Sequence, residues 1–196
     1  HDPQDLKFSG EKTKLVIGKD NKIRECVSIN SGTEGGGGLT KIGNNCLFML
    51  GSHVAHDCII GNNVVIANNG SIGGHVIISN NVIVGGLAGI HQFCRVGEGA
   101  MIGAVTMVSK DVIPFGMVVG DRCSLNGINL IGLKRRGFSN KQILALQKDF
   151  NFLFHGDGNL KDKAEKIYNS NGKDLINVIA AFILADTSRK ITTPIN

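Results

Sequence analysis

Tryptophan is absent from the 196 residues and tyrosine occurs once. A platform for stacking nucleic-acid bases is therefore missing, although the net charge of +5 would suit an acidic partner or a phosphate. No nucleic-acid partner is expected. The best apolar run, Val178–Ala185, is far too short to span a bilayer. The five cysteines include no Cys-x-x-Cys pair, and they read as small core residues in a reducing compartment rather than as disulfides or metal ligands. The first residues, His1-Asp2-Pro3, carry no signal-peptide pattern and read as a chain that begins partway through something longer. Proline occurs three times but glycine 27 times, which calls for a backbone with many tight corners.

An aliphatic residue or Phe recurs every six positions without a gap, from Ile42, Phe48, Val54 and Ile60 through to Ile102 and Val108, and earlier at Ile17, Ile23 and Ile29. Two residues before each comes a second, mostly small series that includes Cys46, Ser52, Cys58, Gly70, Ala88 and Cys94. A helix repeats every 3.6 residues and a plain strand every two, so neither yields an unbroken six. A coiled strand with a corner at each sixth residue does. The tetrads IGNN at 42–45, IGNN at 60–63 and ISNN at 78–81 add a period of eighteen. The unit is then a triangular coil with one Asn-rich corner, stacked about 4.8 Å from the next. The register breaks once, between Ile29 and Ile42, where Glu34 and four glycines read as a flexible loop expelled from a corner. Repeats stop at Asp111-Val112-Ile113-Pro114. After Gly137 the spacing turns helical. Ser139-Asn140 precedes a helix with Ile143, Leu144, Leu146, Phe150 and Leu153 as its apolar face, followed by helices near Leu160–Tyr168 and Asp174–Ala185. This appendage is expected to cap the open end of the solenoid.

Stacking by eighteen places His56 over Gly74 and Gln92, Asp57 over His75 and Phe93, and Ala55 over Gly73 and His91. Four of the six histidines, His53, His56, His75 and His91, thus gather near one edge, off the core phase. A carboxylate beside a histidine holds one tautomer and strengthens it as a base. A neighbouring glycine leaves an N–H free to approach a reacting oxygen. Together they suit acyl transfer to a hydroxyl. Three histidines could also bind zinc, but they do not clearly converge from three faces. No metal and no cofactor is expected.

The repeat resembles the left-handed β-helix hexapeptide acyltransferases. The stretches PQDLKF (3–8), GGGLTKIG (36–43), HVAHDC (53–58), GGH (73–75), GIHQFC (89–94) and NLIGLKRRGFS (129–139) resemble the UDP-N-acetylglucosamine O-acyltransferase family along the whole chain, and the GLKRRGF segment is the most specific of them. The resemblance implies an all-β solenoid, a left-handed parallel β-helix of hexapeptide repeats over 1–128 lacking its N-terminal coils, with a C-terminal α-helical domain over 129–196. It implies a cytoplasmic enzyme of a Gram-negative or related bacterium that moves a 3-hydroxyacyl group from acyl carrier protein to UDP-N-acetylglucosamine, opening lipid A synthesis. His56 would be the general base, Asp57 its orienting acid and Gly74 the oxyanion donor. Asp5, Lys7, His53 and His75 would meet the sugar and acyl groups. His91, Gln92, Asn129 and Arg135 would meet the nucleotide. Arg136 lies in a basic run, with Lys134 and Arg135, that would meet phosphate and the acidic carrier. Ala104 would floor the acyl groove. The implied assembly is a homotrimer with each site between two subunits. Two other readings differ in kind: a sugar N-acyltransferase of the same fold, which would lack the LKRRGF segment, and a structural solenoid, which has no use for His56.

Overall fold

The computed structural model describes residues 1–170, 172, 174–185 and 187–195. Short strands follow the six-residue spacing and stack into three parallel faces. The first face holds Lys14–Ile17, Leu39–Ile42, Ile59–Ile60, Ile77–Ile78 and Arg95–Val96. The second runs through Lys22–Ile23, Leu47–Phe48, Val65–Ile66, Ile83–Val84 and Met101–Ile102. Ser28–Ile29, His53–Val54, Ser71–Ile72, Gly89–Ile90 and Met107–Val108 form the third. The fold is the expected parallel β-solenoid followed by helices. Both repeat series point inward: Phe48, Val54, Ile66 and Ile72 are fully buried, as are Cys58, Val64, Val76 and Ala100. Each such aliphatic contributes roughly 1.5–3 kcal/mol by leaving water. Burial also pushes the Cys58 thiol up to about 12, so it packs as a neutral apolar group.

The asparagine pairs have two separate jobs. Asn62 Oδ1 accepts the N–H of Asn44 at 2.8 Å, and Asn80 Oδ1 accepts that of Asn62 at 2.7 Å, which makes a ladder up one corner. The second asparagine of each pair, Asn45, Asn63 or Asn81, takes the left-handed turn at φ 56°, 56° and 61°. The other two corners need the same backbone. Asp57, His75 and Phe93 hold φ of 59°, 59° and 65°, and Leu87 and Val105 hold 58° and 57°. Positive φ is therefore common to every corner of this coil, and the Asn-rich corner is set apart by its side-chain ladder instead.

Two expectations about the repeat are corrected. The loop after Ile29 is not simply free: Glu34–Gly36 forms one 3-10 turn capped by the Thr33 hydroxyl, and Thr33 is held from the next coil. The repeat also does not end at Pro114. Val112 bridges Val96, and Gly116–Val119 pairs beside Met101–Ile102, so a further coil forms two residues short. The shortening is possible because the Asp111 carboxylate, rather than a backbone carbonyl, accepts the Arg95 N–H at 2.7 Å. Gly116–Val119 then turns back antiparallel into Ser124–Ile128.

Helical structure begins before Gly137, with α1 (Leu130–Arg135), whose six residues are too few to show a period. Helix α2 (Asn140–His155) starts at the Ser139–Gln142 capping box and buries Ile143, Leu146, Phe150 and Leu153. Leu144 is 65% exposed and leaves the expected apolar face. Helices α3 (Leu160–Tyr168) and α4 (Leu175–Leu184) complete the set. One buried apolar cluster runs from the coils into these helices. Among the described residues no helix is long and apolar enough to cross a membrane.

Val105 is β-branched, 64% exposed and held at φ 57°. The left-handed region costs such a residue roughly 1–2 kcal/mol. Val105→Asn is expected to stabilise the fold by about 0.5–1 kcal/mol in urea unfolding. A loss of stability would mean that the valine side chain packs against a surface it needs.

Candidate active site

The corner between the third and first faces carries residues 55–58, 73–76 and 91–94 in register, because His75 N–H donates to His56 O and Phe93 N–H to Gly74 O, both at 3.0 Å. Three side chains on this column leave left-handed turns, so they project from the edge of the coil rather than into its core. His56 Nδ1 donates to Asp57 Oδ2 at 2.8 Å, with the two side chains 12% and 1% exposed. The His75 ring stands edge-on to His56 at 5.0 Å and stacks flat on Phe93 at 4.4 Å.

Asp57 is held on all sides. Its Oδ1 accepts the Thr33 N–H at 2.9 Å, and its Oδ2 accepts the Thr33 hydroxyl at 2.7 Å. Its own N–H donates to the buried Thr40 hydroxyl at 2.8 Å. Gly36 permits this approach: a Cβ there would overlap the Asp57 carboxylate. Burial pushes the Asp57 carboxyl up, but the Thr33 hydroxyl, His56 and the Thr33 N–H together outweigh it and hold the group below its ordinary value. Burial lowers His75, partly countered by Asp57, so its ring favours the neutral form. His53 is also lowered by burial, and its Nδ1 contacts the Ser28 hydroxyl at 2.7 Å on the third face.

With Nδ1–H given to Asp57, His56 keeps the lone pair on Nε2. Gly74 is buried beside it: a Cβ there would stand 2.8 Å from both Nε2 and Cε1. Among the described residues no backbone carbonyl accepts the Gly74 N–H. A cleft of about 590 Å³ opens beside His75, lined by Asp5, Lys7, Thr33 and Phe93 among others. The donor atoms of His56, Asp57 and His75 lie within 4.8 Å of one another. That spacing could hold a metal ion, but the Asp57 oxygens are already taken by Thr33 and His56.

Of the other expected residues, two lie further along this corner and the rest lie elsewhere. His91 and Gln92 occupy the same corner one coil on, where Arg189 meets both. Asn129 caps α1: its Oδ1 accepts Gly132 N–H at 2.9 Å and its Nδ2 donates to Gly99 O at 3.0 Å. Arg136 pairs with Glu98 and lies over the Phe115 and Phe138 rings. Arg135 lines a largely apolar groove of about 400 Å³ along the second face, near Asn63, Ile83 and Met101. Ala104 is exposed at the corner between the second and third faces, stacked over Gly86 as expected. Sequence reasoning missed Thr33 and Arg189. Thr33 sits in the insertion, where stacking by eighteen no longer applies, and Arg189 lies outside the repeat.

A triangular hexapeptide coil with a His–Asp pair on one corner defines a hexapeptide-repeat transferase. Residues 39–74 match the bacterial transferase hexapeptide model, and residues 111–192 match the second domain of UDP-N-acetylglucosamine O-acyltransferase. A Paracoccus denitrificans protein, named as the O-acyltransferase of acyl-acyl carrier protein and UDP-N-acetylglucosamine, is 54% identical over 98% of this chain and 73% of its own. One of the same name from Campylobacter lari is 51% identical over 96% of this chain and 71% of its own. The solved structure of UDP-N-acetylglucosamine acyltransferase from Campylobacter jejuni superposes with a TM-score of 0.90 at 41% identity, covering 98% of this chain and 74% of that one. The chain belongs to the UDP-N-acetylglucosamine O-acyltransferase family.

Thr33→Val removes the hydroxyl from Asp57 at nearly constant volume. The native carboxyl is held below its unfolded value, so its stabilisation is present above the unfolded carboxylate range and fades as pH falls through the native value. The variant is expected to lose about 2 kcal/mol near neutrality, and its acid-unfolding midpoint should move to higher pH. Urea unfolding across a pH series checks both; an unmoved acid midpoint would show that the hydroxyl bond does not hold the charge.

Proposed function

We propose that this chain transfers a (R)-3-hydroxyacyl group from acyl carrier protein to the glucosamine 3-hydroxyl of UDP-N-acetylglucosamine, the first step of lipid A biosynthesis. The names of relatives at 54% and 51% identity support it. The observation that carries it is the His56–Asp57 pair, with Nε2 free beside the buried Gly74.

In this reading His56 Nε2 removes the proton of the sugar 3-hydroxyl while its oxygen attacks the thioester carbonyl. The buried carboxylate of Asp57 holds the ring and stabilises the imidazolium. The Gly74 N–H takes the oxyanion of the tetrahedral intermediate. Collapse breaks the carbon–sulfur bond, and the proton on Nε2 passes to the departing sulfur. Asp5, Lys7, His53 and His75 would hold the sugar and acyl groups. His91, Gln92 and Arg135 would hold the nucleotide, with Asn129 setting the helix that carries Arg135. Arg136, braced by Glu98, and its exposed neighbours would present positive charge to phosphate and to the acidic carrier.

The assembly proposed is a homotrimer with its sites between subunits, in the cytoplasm. Its support is the separation just described. The histidine corner and the Arg135 groove lie on different edges of one chain, and a neighbour's edge facing this corner would reunite them. The division into a solenoid over 1–128 and a helical domain over 129–196 is proposed with it.

His56→Ala is expected to lower kcat by about 10²–10⁴ without loss of fold. The assay is formation of acylated UDP-N-acetylglucosamine from a 3-hydroxyacyl carrier protein; comparable turnover would sink the mechanism. Ala104 should set chain length, since one methylene is worth about 1–3 kcal/mol in a pocket. In competition between donors, Ala104→Gly should favour longer chains and Ala104→Met shorter ones. An unchanged profile in both would place the groove floor elsewhere.

A further inference from the structure

After α4 the chain returns to the solenoid as a strap. Its backbone is bonded to the short coil: Asp111 N–H donates to Lys190 O and Thr192 N–H to Asp111 O, both at 2.8 Å. Leu125 N–H then donates to Thr193 O at 3.2 Å. The fully buried Asp111 carboxylate anchors it. Arg95 Nε donates to Oδ2 at 2.8 Å and the Thr187 hydroxyl to the same oxygen at 3.0 Å. Thr187 in turn accepts the Arg189 N–H at 3.0 Å.

This anchoring aims one side chain at the histidine corner. Arg189 Nη2 lies 2.8 Å from His91 Nδ1 and 2.9 Å from Gln92 O. A guanidinium only donates. The Nδ1 atom therefore accepts, and the ring proton sits on Nε2. The contact of Nδ1 with Gln92 O at 3.3 Å is then no hydrogen bond, because both atoms are acceptors shared by one guanidinium. Gln92 immediately precedes Phe93, whose ring stacks on His75. The strap thus touches the column that carries the His56–Asp57 pair from its far end.

We propose that Arg189 is a positioning residue: it locks His91 as the Nε2–H tautomer and holds the Gln92 carbonyl, so that His91 offers a single outward donor to the nucleotide sugar. This rests on the reading of His91 and Gln92 as substrate contacts. The helical region then supports the site through a side chain as well as by covering the coil.

The test pairs NMR of the imidazole nitrogens in histidine-labelled protein with steady-state kinetics, His91→Gln serving to assign the signal. In the wild type, neutral His91 should show a bare Nδ1 and a protonated Nε2. Arg189→Met should mix the tautomers and raise KM for UDP-N-acetylglucosamine about tenfold, with kcat nearly unchanged. Arg189→Lys keeps the charge but replaces the fork by one point donor, so it should fall between. It carries the test if Arg189→Met does not fold. A strap that only stabilises would lower Tm and leave tautomer and KM alone, which would overturn the proposal, as would a wild-type ring protonated on Nδ1. A shifted tautomer with an unmoved KM would overturn the link to binding. Wild-type protein that never acylates UDP-N-acetylglucosamine would instead sink the activity proposed above, and the tautomer result would stand on its own.

Discussion

Between the insertion and the shortened last coil, each coil is bonded to the next through backbone pairs at a constant offset, as when His53 N–H meets Gly70 O and Ser71 N–H meets Ala88 O, both at 2.9 Å. A slip of one residue would turn every core aliphatic outward. The offset therefore fixes more than the core. It decides which corner residues stand above one another, and so places Gly74 beside His56 and His75 beside Asp57. The acid and base that touch are neighbours in sequence, but the groups that serve them come from other coils.

The corner geometry adds a cost at the site. A left-handed turn suits Asn or Gly, yet Asp57, His75 and Phe93 occupy it in three successive coils. A buried ionised carboxylate is expensive unless its oxygens are bonded. The seven-residue insertion after Ile29 meets that need by bringing Thr33 across from the preceding coil. Gly36 is needed because the backbone lies against the carboxylate there and a side chain has no room, whereas Gly37 and Gly38 take positive φ in open space. Loop, corner and charge form one unit.

The far end of the solenoid is managed in a similar way. Asp111 replaces a backbone acceptor where the coil shortens, and the same carboxylate receives Arg95 and Thr187. One buried charge thereby joins the last coil, the helices through Arg95 on Phe182, and the strap that ends the described chain.

Periodicity was enough to determine the coil, its three faces, both inward series, and the stacking of His56 on Gly74 and Asp57 on His75. These are local and repeated, so each coil states the rule again. The long helices were legible for the same reason, through the Ser139 cap and the apolar spacing. Features that occur once were not. A six-residue helix has no period to read, Leu144 faces solvent because its helix meets the core on one side only, and the two-residue shortening depends on a side chain taking a backbone role. Thr33 and Arg189 reach the site from 24 and 98 residues away from the groups they hold. Contacts closed once by an insertion or by a returning strap leave no pattern in a sequence, and only the tertiary structure decided them.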